Sequence, residues 1–134
     1  MLSALPCDGT VCLFHLGIGY AIVGGWLAHL VWALVSFIRR REPAPWWWRL
    51  LAVLQVLLLV QLAAGAILLA LGHRADSLLH YFYGVVFPAI VLVVAHVLGR
   101  GMEIEEDTWK VFAVASFFIF GLTLRALTTG LGLP

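Results

Sequence analysis

Apolar residues run in four long stretches, Leu16 to Ile38, Leu50 to Leu71, Leu79 to Leu98 and Val111 to Leu127, separated by short polar connections. A helix rising about 1.5 Å per residue needs roughly 20 apolar residues to cross a hydrocarbon core about 30 Å thick, and each stretch comes near that length. Transmembrane strands would be roughly half as long and would alternate polar with apolar. Here VLQVLLLVQLAAGAILLALG is apolar around its whole circumference. The pattern predicts an all-α integral membrane protein, a single four-helix transmembrane domain over residues 1–134 with helices at about 16–38, 50–71, 79–98 and 111–127. The opening MLSALPCDGTVC lacks the basic start of a cleaved signal peptide, so the N-terminus is expected to be retained.

Composition sharpens this reading. Of 134 residues, 63% are hydrophobic and 11% charged, with a mean hydropathy of +1.05. Soluble domains carry roughly 45–50% apolar residues, so an ordinary soluble fold is excluded. A net charge of +1, with no basic run beyond Arg39, Arg40 and Arg41, gives no nucleic-acid footprint.

The charges also set a direction. The first connection carries Arg39, Arg40, Arg41 and Arg49 and the third carries Arg100 and Lys110, which is six of the eight basic residues. Positive charge marks the cytoplasmic side, so both termini are expected outside, in a cell inner (plasma) membrane. Trp46, Trp47 and Trp48 read as an aromatic belt at the inner interface, with Pro43 and Pro45 stiffening the turn. The cluster Glu103, Glu105, Glu106 and Asp107 reads as a solvated loop in which Asp107 or Thr108 caps the fourth helix; a metal or a basic partner is the other reading. Cys7 and Cys12 fall on the expected external side, where a disulfide can persist. A local staple across Asp8 and Gly9 is expected, with free thiols as the alternative.

Five histidines, His15, His29, His73, His80 and His96, are the unusual feature of so small a membrane chain. The first and third helices run in the same direction, which puts His15 and His80 at matching depth near the outer end. His29 lies about 21 Å and His96 about 24 Å further in, at about 1.5 Å per residue. Two histidines at one depth on different helices suit a bis-imidazole haem, whose iron takes one nitrogen from each face of the ring. Gly19 and Gly84 each lie four residues beyond the proposed ligand and leave room on nearly the same helix face. Glycine also promotes close helix packing in membranes, a second reading for Gly17, Gly19, Gly24 and Gly25.

Arg125 and Arg74, at the same end, can neutralise haem propionates; for Arg125 the alternative is snorkelling to the interface. His73 reads as a loop residue beside Arg74. A second haem at His29 and His96 meets an angular obstacle. On an ideal helix, at roughly 100° per residue, His80 and His96 stand about 160° apart, although Pro88 between them can kink the helix or accompany a π-bulge. The competing expectation pairs His29 with Gln61 by hydrogen bond and leaves His96 facing the inner interface beside Arg100. Tyr20, Tyr81 and Tyr83 read as interface aromatics or as the border of a quinone or pigment site.

The helix LQVLLLVQLAAGAILLALG, the short loop after it, the helix opening LHYFYG and the earlier HLGIGY together resemble a four-helix membrane b-type cytochrome and one half of a haem A synthase. Haem A synthases have eight helices in two such halves and carry their cysteine pair in an external loop, whereas Cys7 and Cys12 precede the first helix of a single half. The resemblance implies a haem-binding bundle with His15 and His80 as iron ligands. Phosphate-binding glycine motifs, CxxC and HExxH signatures are missing from the sequence, and no catalytic residue is assigned. The expectation is therefore an electron-transfer protein or subunit of a respiratory chain, not a self-sufficient enzyme, holding haem b in the lipid bilayer and working with other redox subunits or quinone. The alternative is a non-catalytic accessory or assembly subunit of a respiratory or photosynthetic complex, with histidines that bridge helices or hold pigment.

Overall fold

The computed structural model describes residues 9–102 and 107–133. Four helices result: α1 (Thr10–Ile38), α2 (Pro45–Ala70), α3 (Leu79–Arg100) and α4 (Thr108–Gly130). All four are long and apolar enough to cross a membrane, and no strand occurs among the described residues. By length and composition the chain is a multi-pass membrane protein.

The helices outrun the apolar stretches that predicted them, because a helix continues into polar sequence until something stops it. Pro45 opens α2 at a first-turn position where its missing N–H costs nothing, so α2 starts five residues before Leu50 and the three tryptophans are helical. Trp47 is wholly buried whereas Trp46 is 64% exposed. The expected belt is thus split, because successive helical residues point about 100° apart. Three helices end alike, in a left-handed residue whose successor bonds back into the last turn. At Gly72 (φ 93°) the N–H of His73 reaches Leu68 O, and at Gly132 (φ 78°) that of Leu133 reaches Thr128 O. Arg40 takes the same place after α1 at φ 54°, with Arg41 N–H bonded to Ser36 O.

In α3 the segment Phe82–Val86 is a π turn, as the position of Pro88 allowed. Proline has no N–H for the carbonyl four residues back, and wider hydrogen bonding accommodates the gap. Asp107 stands at the N-cap of α4 without a capping bond; its carboxylate pairs with Lys110 at 3.0 Å. Glu103, Glu105 and Glu106 lie outside the described residues, as does Cys7, while Cys12 is disulfide-bonded.

In the bundle, α1 packs on both α2 and α4, and α4 packs on α3. Its apolar core gathers in the half nearer Trp47, where Trp26, Leu51, Leu54, Trp109, Phe112 and Ile119 meet. Gly25 sets the approach of α1 to α2, since a Cβ there would collide with the buried Leu54 side chain. Gly25→Ala is expected to lose about 1–3 kcal/mol through overpacking, measured by unfolding in detergent against Gly24→Ala. The latter methyl meets nothing within 4 Å, which cancels the gain in helix propensity common to both variants. Equal stabilities would contradict the close approach.

Candidate functional site

Two histidine clusters occupy opposite ends of the bundle. At one end His15, six residues into α1, and His80, in the first turn of α3, bring their ring centres to 6.2 Å with planes 74° apart. Equal rise along two parallel helices explains the shared level. The Ala126 carbonyl on α4 lies 2.7 Å from His80 Nδ1. A carbonyl only accepts, so Nδ1 donates and the neutral ring keeps Nε2 as its open nitrogen. His15 Nδ1 is buried with no hydrogen-bond partner among the described residues.

The expected companions of this pair fall into two groups. Gly19 and Gly84 do not face the rings. A Cβ on Gly19 would stand 3.2 Å from Gln61 Nε2, and one on Gly84 would stand 3.6 Å from the Ala126 Cβ. Gly19 instead lets Gln61 reach the backbone, and Gln61 Nε2 donates to His15 O at 2.8 Å. Gln61 Oε1 remains buried without a partner among the described residues. Arg125 belongs to this end: its guanidinium lies 5.5 Å from the centre of the Tyr83 ring on α3, and its Nη1 lies 3.5 Å from Thr128 Oγ1. Arg74 and His73 are exposed in the α2–α3 connection. Tyr81 spans that connection, its hydroxyl accepting from Ala75 N–H at 3.0 Å.

The glycines that do meet the imidazoles are Gly65 and Gly130, on α2 and α4. Gly65 carried a signal in the sequence, one turn beyond Gln61 on the same face. Gly130 carried none, because its role depends on how α4 leans on α3.

At the other end His29 is wholly buried. Its ring stacks on Trp47 at 4.1 Å and 16°, with Trp26 edge-on at 5.7 Å. His29 Nε2 lies 3.2 Å from the Trp47 carbonyl oxygen, and Nδ1 lies 2.5 Å from the Ser116 hydroxyl oxygen, which itself donates to Phe112 O at 2.8 Å. Trp47 Nε1 donates back to His29 O at 3.1 Å. The expected bond to Gln61 is therefore not formed. Nor does His96 join His29: it is exposed, its Nδ1 donates to Leu92 O at 2.8 Å, and its ring lies edge-on to Phe112 at 5.1 Å. The two residues offered as a second ligand pair are kept apart, and both ring nitrogens of His29 are engaged within the protein.

Among the described residues no group of three or more histidine, cysteine or carboxylate side chains is placed to hold a metal ion. A bis-imidazole haem needs only two, the porphyrin supplying the other ligands. Fold and polar residues together define a helical multi-pass membrane protein with a histidine pair at one end. Comparison with protein-family models, curated proteins and solved structures found no match.

Proposed function

We propose that the chain is a membrane electron-transfer protein or subunit that binds one b-type haem between α1 and α3, with His15 and His80 as axial ligands. The observation that carries this reading is the 6.2 Å between the two ring centres. A metal–imidazole bond of about 2 Å, with the ring centre roughly 1 Å behind the bound nitrogen, sets two trans imidazoles about 6 Å apart. The donor set supports it as well. A ligating histidine ordinarily donates its other N–H to a carbonyl or carboxylate, as His80 does to Ala126, and His15 offers a buried nitrogen without a partner among the described residues. Arg125, and Arg74 in the adjoining connection, are the candidates for the propionates.

Haem held this way supplies a reversible one-electron couple. The protein's own part is to fix two nitrogens at one level, exclude water and offer cations to the ring's acidic edge. A quinol or a neighbouring membrane redox subunit would be the donor. His29 favours the second reading for its own half of the chain, since it bridges three helices as an accessory subunit's histidines would.

The test is the visible spectrum of the full chain purified with haem supplied, oxidised and then dithionite-reduced. Split α and β bands are expected. A colourless protein would sink the haem reading, and pigment bands would favour a pigment-binding accessory subunit.

The basic residues in the first and third connections support an inner-membrane protein with both termini outside. Asp76→Cys, in the exposed α2–α3 connection, is expected to react with an impermeant thiol reagent on intact cells. Reaction only after permeabilisation would invert the topology.

A further inference from the structure

The histidine pair is bedded on surfaces with no side chain. A Cβ on Gly65 would stand 3.1 Å from His15 Cε1 and 3.8 Å from both of its ring nitrogens. One on Gly130 would stand 2.7 Å from His80 Cε1 and 2.9 Å from its Nδ1. The second contact is closer than real side chains tolerate, and His80 cannot easily yield, because Ala126 O holds Nδ1 at 2.7 Å from one turn back along α4. With a methyl at position 130 the ring must give up that hydrogen bond, rotate or retreat. His15 is held from the other side: Gln61 fixes its backbone and Gly65, one turn along α2, takes its ring. The outcome of both beds is the 6.2 Å separation and the 74° between planes.

We propose that Gly65 and Gly130, with the Ala126 carbonyl, are the positioning residues of a bis-imidazole haem centre and impose nearly crossed imidazole planes on its iron. The inference rests on His15 and His80 being the axial ligands. It adds an electronic class to that assignment. In six-coordinate ferric haem the relative orientation of the two imidazole planes governs the splitting of the iron d orbitals. Crossed planes give a strongly anisotropic low-spin resonance and parallel planes a rhombic one. Ligand orientation and the hydrogen bonds behind it are levers by which protein tunes the metal. The three contacts act on those levers without touching the iron.

Wild type and the Gly130→Ala, Gly65→Ala and Gly121→Ala variants are purified as full chains in detergent and loaded with ferric haem b. The readouts are haem affinity, low-temperature electron paramagnetic resonance and midpoint potential, with thermal stability followed separately. Gly121→Ala adds the same methyl to α4 where nothing lies within 4 Å. The expected wild-type signal is strongly anisotropic and low-spin, and Gly121→Ala matches it. Gly130→Ala is expected to move the signal toward the rhombic form with a shifted potential, or to lower haem affinity roughly tenfold, the scale of outer-shell changes. Gly65→Ala moves it less, in line with its longer contact. A rhombic wild-type signal overturns the proposal, as does a haem-loaded Gly130→Ala with wild-type resonance, potential and affinity. A wild type that takes up no haem refutes the ligand assignment itself, and the positioning role with it.

Discussion

On the proposed ligand assignment, His15→Ala and His80→Ala are each expected to abolish the low-spin haem spectrum, while His73→Ala and His96→Ala leave it intact. Six-coordinate iron needs a nitrogen on both faces of the ring, so losing either imidazole leaves at most a five-coordinate, high-spin remnant. The two controls remove exposed histidines, His73 in the α2–α3 connection and His96 at the other end of α3. His80 also anchors to Ala126 and His15 lies on Gly65, so stability must be read in parallel. His80→Gly with free imidazole added separates the roles, since a diffusible ligand can restore the coordination without restoring the tether. Unchanged spectra in both alanine variants would move the ligands elsewhere.

His29→Ala is expected to cost about 2–4 kcal/mol of stability, measured by reversible unfolding in mixed micelles. Hydrogen bonding is the smaller share: interhelical bonds in membranes average about 0.6 kcal/mol and reach about 1.7. The larger share is the cavity left between Trp26 and Trp47, because large-to-small core changes lose both transfer energy and contact. His96→Ala, at an exposed position, is expected to cost under about 1 kcal/mol. If the two variants are equally stable, the inner cluster does not clamp the helices.

These residues also show where the sequence was readable. Four apolar runs predict four helices because nothing else lets a backbone satisfy its hydrogen bonds in lipid. The π turn was foreshadowed by Pro88, a fixed chemical defect. His15 and His80 were matched by rise per residue alone, which a straight helix obeys. Partners across a helix interface were harder, because they depend on where each helix begins. Starting α2 at Leu50 puts Gln61 opposite His29, whereas its start at Pro45 slides the register. Gly19 then faces Gln61, His15 faces Gly65, and His29 is left against the first turn at Trp47. Ser116 was invisible for a related reason: the sequence does not say which face of α4 turns toward α1.

Helix α1 carries both histidine clusters and is the helix on which α2 and α4 meet. A continuous helix is stiff along its axis, so the grip on His29 works as a datum from which the height of His15 is measured off, about 21 Å away at about 1.5 Å per residue. A slip of one turn, about 5.4 Å, would unseat both ends together. The stacked indole and imidazole at one end of the molecule are therefore a gauge for the level of the imidazole at the other.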